Sequence, residues 1–345
     1  MSPYPSVPDA WSRQWQLLIL PQSGRPEHLR DIFCVWYATP PRLLSARDLG
    51  NRIVVLNDAL TPRSAIIDNT AMAAEHNSLF VPPILAGKEL TASSVFEPAN
   101  LLREARRQKS IVEVDIPEIC VLDPDGDILR LLRRKGRTSL STAWACYHTE
   151  LHEFGYEQER LGIIGCAVGA SFAVLLAEQL FVSGCRFLLS VTSAGQIVAQ
   201  GPPPYFVVID RALRDEGTSY HYLPPTEFSE ADPALVDAAM GALRNSSLKV
   251  YRGAAWTTDA PFRETAGAIE RCRERGILAV EMEAAALYAF ARARRKPVLC
   301  LAHVTNQMAV SGGDFEKGEA DGAYASLNVI GVVAQAWRAL ESPPG

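Results

Sequence analysis

The sequence predicts an α/β fold in which a parallel sheet is covered by helices. Leu161–Ala167 and Cys185–Thr192 are nearly continuous apolar runs of strand length. A glycine turn (Val168–Ser171) and an apolar helix, Phe172–Val182, separate them. A strand that is apolar on both faces belongs inside a sheet with helices on either side, and the short link favours a parallel crossover. The pattern then repeats: strands are expected at Tyr205–Asp210, Leu248–Ala254, Leu278–Val280 and Val298–Thr305, and a long helix at Gly322–Leu340. The composition agrees, since 345 residues that are 48% hydrophobic and 21% charged can fill a large core.

Earlier in the chain, residues 1–14 read as a Pro/Ser-rich arm. Residues 15–98 read as an irregular strand-and-loop module or elaboration, with strands at WQLLILP and RIVVLN and frequent prolines. Residues 99–342 form the main domain. It opens on PANLLREARRQKS, a helix expected to cap near Asn100, followed by the strand ICVLD. Asp123, Asp125 and Asp127 follow that strand as a polar turn, because a calcium loop would need a terminal bidentate glutamate that is missing. A formal charge of -5 gives no support for a nucleic-acid surface, and the short basic clusters 106–109 and 133–135 read as solvated faces. The seven cysteines stand singly with no CxxC, as buried free thiols of a reducing compartment do. No signal-like or membrane-spanning run is present, so a soluble, cytoplasmic protein with no membrane partner is expected.

Several segments could carry chemistry. GCAVGAS (165–171) offers backbone N–H groups at a helix start, although glycines there also serve tight turns. It matches neither the GxxxxGK[ST] nor the GxGxxG pattern. TSAG (192–195) places the Thr192 and Ser193 hydroxyls after a strand, where ligands collect in open α/β sheets. RDEGTSYHYLPP (214–225) crowds ionisable and aromatic groups, His221 among them, into a loop that suits either a site or a subunit interface. TTDAPFRE (257–264) offers Phe262 to stack on a planar base and Arg263 to donate to carbonyl oxygens. In VEMEAAALYAFA (280–291), Glu281 and Glu283 stand at the mouth of an almost wholly apolar helix. They are either helix-start charges or buried carboxylates that need partners, and a carboxylate can accept two vicinal sugar hydroxyls at once. No metal site is expected: HTELH (148–152) could place two histidines on one helix face but lacks a third ligand. No GxSxG elbow occurs.

In this order, GCAVGASFAVLLAEQL, SVTSAGQI, RDEGTSYHYLPP, TTDAPFRE and VEMEAAALYAFA resemble the nucleoside phosphorylase superfamily, specifically its uridine phosphorylase-like branch, over roughly residues 145–340. The resemblance implies a phosphorylase-type three-layer architecture, with a central mixed, twisted sheet flanked by helices. It implies phosphorolysis of a nucleoside N-glycosidic bond, with inorganic phosphate as co-substrate and no other cofactor. The partners it implies are small molecules, within a homo-oligomer that is a dimer or a trimer of dimers. Carried over by position, Gly169, Thr192 and Ser193 bind phosphate. Met282 and Glu283 hold the ribose, with Glu281 as a second polar contact or structural acid. Phe262, Arg263, Asn306 and Gln307 contact the base. Glu283, Arg263 and His221 are the catalytic candidates. Asn306 stands where purine-specific members carry an acidic aspartate, which leans the site toward pyrimidines; an arginine would be expected at Gln307.

The phosphate half departs from the family pattern. The early G-D-P-x-R segment has no counterpart, and Ser190 replaces the strand-end arginine; Arg42, Arg63 or Arg103 could supply the missing charge. Two other readings therefore stand beside phosphorolysis: hydrolysis of the same bond by water, and a non-catalytic nucleoside-binding or scaffold protein.

Overall fold

The structure is a computed structural model describing residues 81–307 and 315–341. The expected arm at 1–14, the strands WQLLILP and RIVVLN, and both Arg42 and Arg63 lie outside the described residues. Helix α1 (Pro98–Lys109) starts two residues before the expected cap at Asn100, because Pro98 takes the first turn, where a missing N–H costs nothing. Strand β1 (Ile119–Asp123) is buried throughout, and Asp123 ends it by accepting from the N–H groups of Gly126 and Leu129. That turn delivers the chain into α2 (Asp127–Arg134). The meander β2 (Thr138–Leu140), β3 (His152–Tyr156) and β4 (Glu159–Gly165) follows. The HTELH segment therefore runs into a strand and not along a helix.

Helix α3 (Ala170–Val182) begins two residues earlier than its apolar run suggested. Its cap, Gly169, has φ +94, a conformation that side chains rarely adopt. Strand β5 (Phe187–Gln196) leads through β6 (Tyr205–Asp215), a 3₁₀ turn at Thr218–His221, and β7 (Phe228–Glu230) to helix α4 (Pro233–Leu243). The chain ends with β8 (Val250–Thr258), a 3₁₀ turn at Pro261–Arg263, α5 (Ala266–Glu274), β9 (Ala279–Glu281), α6 (Ala284–Arg294), β10 (Val298–Asn306) and α7 (Ala323–Glu341).

Among the described residues the strands form one mixed sheet, ordered β10-β6-β8-β9-β5-β1-β4-β3-β2, with β7 on the edge of β6. β1 pairs parallel with β4 and β5, β5 with β10, and β8 with β6 and β9; the remaining pairs are antiparallel. Because β5 also pairs with β10, five strands close into a ring, β5-β10-β6-β8-β9. Helices α1, α3 and α6 pack together, as do α2, α4 and α7. The core lies between these layers, with Ile119–Leu122, Phe187–Leu189, Val207–Ile209 and Leu299–Ala302 all buried.

Two expectations change here. TSAG is not a turn beyond a strand: β5 runs through it to Gln196, because Gly195 pairs with Asn306 on one side and Val280 on the other. Ladder bonds on both sides hold these polar residues extended against their local preference for a turn. The cysteines are free as expected in the described residues, but Cys166 is exposed rather than buried.

Candidate active site

The helix that VEMEAAALYAFA promised starts at Ala284, and the two glutamates before it do different work. Glu281 closes β9. Its Oε2 accepts from the N–H groups of Glu283 and Ala284, each at 2.7 Å, so it caps the first turn of α6. Its Oε1 accepts from the Thr257 hydroxyl at the end of β8, and that hydroxyl accepts from Ala285 N–H at 2.9 Å. Both oxygens are engaged and the residue is buried, so of the two roles the resemblance offered, the geometry is that of a structural acid. We expect Thr257→Val to lose about 1–3 kcal/mol of stability, because the Ala285 N–H and one Glu281 oxygen are left buried without partners. Urea denaturation measures it, and a loss below about 0.5 kcal/mol would show that the network contributes little.

Glu283 is 1% exposed and sits at the cap of α6 without capping it. Instead its Oε1 accepts from Gly169 N–H at 2.7 Å, 114 residues away, while Oε2 is buried without a close hydrogen bond, and the Thr192 hydroxyl lies near enough to favour the ionised carboxyl. A carboxylate oxygen left so in the interior needs an explanation, and a ligand hydroxyl provides one. Burial raises the carboxyls of both Glu281 and Glu283 well above the usual range, with Glu281 adding to the effect on Glu283. Behind them, alanines let α6 lie close to the sheet. The buried Tyr288 hydroxyl donates to Ile209 C=O at 2.6 Å and accepts from Cys300 N–H at 3.0 Å, tying the helix to β6 and β10.

Thr192 and Ser193 lie on β5 opposite Ala302 and His303 of β10. Ser193 donates from both its backbone N–H (2.7 Å) and its hydroxyl (2.8 Å) to the two oxygens of Asp125. This is how an anion would be held, with a carboxylate of the same chain in place of a free ion. Around it lies a cavity of ≈ 10 Å³ lined by Asp123, Asp125, Asp127, Thr192, Ser193, His303 and Lys317 among others. Lys317 reaches Asp127 at 2.6 Å and Asp125 at 4.0 Å. Burial pulls the Asp127 carboxyl upward, but Lys317 and Arg130 outweigh it and hold it below its ordinary value. Asp123 is pushed up to about 7, chiefly by burial, and His303 down to about 4 for the same reason, which leaves that imidazole neutral.

The fold thus brings Gly169, Thr192, Ser193 and Glu283 to one place, and β5 aligns Gly195 with both Val280 and Asn306. Met282 is half-buried between the glutamates. Phe262 is fully exposed, and Arg263 and His221 are also on the surface; His221 meets Lys88 at 3.0 Å. No bond joins any of these three to Glu283. Arg103 is engaged with Asn100 and Glu104 on α1. Sequence reasoning missed Asp125, His303 and Lys317 as site residues. The DPDGD run was visible, but its partner on β5 lies 68 residues away.

Residues 118–334 match the family model of the phosphorylase superfamily, which spans most of the described chain. The chain belongs to that superfamily. It is 26% identical over 137 residues to a guanosine phosphorylase of Halorubrum lacusprofundi, covering 40% of this chain and 57% of that protein. It is 27% identical over 155 residues to a DeoD-type purine nucleoside phosphorylase of Hahella chejuensis, covering 44% and 66%. A DeoD-type enzyme of Streptococcus thermophilus is 22% identical over 193 residues, covering 54% and 89%. The first two of these matches span less than two thirds of the relative's own length. The solved uridine phosphorylase of Vibrio fischeri shares the fold, with a TM-score of 0.51 and 22% identity over 66% of this chain and 90% of that one. The phosphorylase-type α/β fold expected from the sequence is therefore present, as is membership of a family of nucleoside phosphorylases that use phosphate as co-substrate. Purine and uridine enzymes both appear among the relatives, so family membership leaves the base open. No described helix is long and apolar enough to cross a membrane.

Proposed function

We propose that this superfamily member cleaves the N-glycosidic bond of a nucleoside, with Glu283 gripping the sugar hydroxyls. The observation that carries the reading is the buried Glu283 carboxylate, with one oxygen fixed by Gly169 N–H and the other without a close hydrogen bond. A sugar presenting two adjacent hydroxyls would satisfy that oxygen and stabilise the ionised form. Fixing the sugar in this way lets the bond open through an oxocarbenium-like state without a covalent intermediate. Met282 would pack against the sugar face.

A pyrimidine is the base this chain suits better than a purine. Asn306, at the end of β10, carries an amide that cannot protonate a leaving base. Gln307 and Arg263 are suited to the carbonyl oxygens of a pyrimidine, and Phe262 to its ring. A homo-oligomer, a dimer or a trimer of dimers, is the assembly that the family resemblance implies for this chain. Incubating the full chain with uridine, thymidine, inosine and adenosine, with and without phosphate, tests the reading by chromatography of the free base. Uridine or thymidine should release base fastest. No base from any nucleoside in either condition would sink it.

A further inference from the structure

We propose that the sugar acceptor in this chain is a water molecule seated against Asp125 and His303, and that Asp125 takes up the donors a phosphate would need. The inference rests on the glycosidic reading of Glu283 and specifies its second substrate. Ser193 is a residue the family resemblance assigns to phosphate, and its N–H and hydroxyl both already donate to Asp125 at 2.7 and 2.8 Å. A phosphate would have to displace a carboxylate covalently tethered beside them.

Charge argues the same way. Three aspartates, Asp123, Asp125 and Asp127, line the cavity. The cation among its described lining residues, Lys317, is already bound to Asp127 at 2.6 Å, and Arg130 beside it also pairs with Asp127. Bringing a dianion among carboxylates in a partly buried site is unfavourable without further positive partners. Size is the third observation. The cavity's ≈ 10 Å³ is room for about one water, and its lining offers the several polar partners that a held water needs.

His303 supplies an observation independent of the aspartates. It is 5% exposed, stacked on Phe206 with ring centroids 4.4 Å apart, and it lines the cavity without a hydrogen bond to any described residue. A neutral imidazole there can accept from or donate to a water and so orient it. In the reaction the water oxygen bonds to C1′ as the C1′–N bond breaks, and that bond's electron pair stays on the base nitrogen. One water proton remains on the new C1′ hydroxyl. The other passes to the Asp125 carboxylate and on to solvent, and the departing base takes up a proton from solvent.

The test uses the full chain with uridine as substrate, with and without inorganic phosphate, and separates pentose from pentose 1-phosphate. We expect base release at the same rate in both arms and free pentose as the product. Phosphate-dependent release with accumulation of pentose 1-phosphate overturns the acceptor assignment and leaves the role of Glu283 standing. Absence of release from every nucleoside overturns the glycosidic reading, and the acceptor assignment falls with it. Calorimetric titration of phosphate alone reads the subsite without turnover. The unmodified chain should show no saturable binding, and Asp125→Ala should bind phosphate saturably as the Ser193 donors come free. Saturable binding to the unmodified chain as tight as to the variant overturns the proposal, and that first titration needs no variant to fold. His303→Gln should lower kcat about tenfold with KM for the nucleoside unchanged; an unchanged kcat removes His303 from the acceptor side.

Discussion

Replacing Glu283 with glutamine should lower kcat/KM for the nucleoside by about 100-fold or more while leaving the protein folded. The amide oxygen can still accept from Gly169 N–H, so the turn before α3 keeps its tether. What is lost is the charge that strengthens hydrogen bonds to the sugar as the bond opens. Stability should move the other way. Burial raises the folded-state carboxyls of Glu283 and Glu281, and holds Asp123 at about 7, above the value each would have in the unfolded chain. For a group shifted upward, the stabilising contribution is fully present below the unfolded value and is lost as pH rises through the folded one. The unfolding free energy should therefore fall as pH rises from about 4 through 8, and Glu283→Gln should flatten part of that slope, chiefly its upper end. Urea denaturation across this range, with kinetics at neutral pH, reads both effects. A variant that keeps kcat/KM within about threefold would remove Glu283 from the site.

Gly322→Ala should be among the most damaging single substitutions in the fold, at about 2–5 kcal/mol. Gly322 has φ +77, and a Cβ there would stand 2.1 Å from His303 Cε1 and 2.6 Å from the Lys317 backbone oxygen. Neither neighbour can give way easily. His303 is pinned by its stack on Phe206, and the Lys317 carbonyl belongs to the chain that enters α7. The left-handed backbone adds its own penalty, at the end of a turn where Ala320 and Asp321 already have positive φ. Gly241→Ala provides the contrast. It lies within α4, a Cβ there meets nothing within 4 Å, and the change should stabilise by about 0.5–1 kcal/mol. Chemical denaturation of the two variants checks the pair; a loss under about 1 kcal/mol at Gly322 would mean that the turn can rearrange.

Most of the sheet was legible because its strands are short apolar runs. ICVLD, FLLSV and VLCLAHV could hardly be anything but buried strands between helical layers. The burial of Glu283 was one of two readings open in the sequence, a helix-start charge or a buried carboxylate needing partners, and the fold takes the second. What the sequence hid depends on distance along the chain. Nothing local in DPDGD says that Asp125 will meet Ser193, and nothing local in HVTN says that His303 will face that same pair across a parallel ladder. The extension of β5 through TSAG was hidden likewise, because the bonds that hold it come from strands about a hundred residues further on. The division of labour between Glu281 and Glu283 needed the position of Thr257, on a third strand.

The ring β5-β10-β6-β8-β9 bears on how such a site changes over time. Each strand in it is flanked by two others, so none can slide by a residue without breaking ladders on both sides. Backbone positions around Gly195, Val280 and Asn306 are therefore fixed relative to one another whatever side chains they carry. A lineage can exchange an arginine for Ser190, or bring an aspartate onto Ser193, and the main chain beneath will hardly move. Chemistry becomes a matter of which side chains are mounted on an unyielding hoop, and a new acceptor can arise by substitution alone.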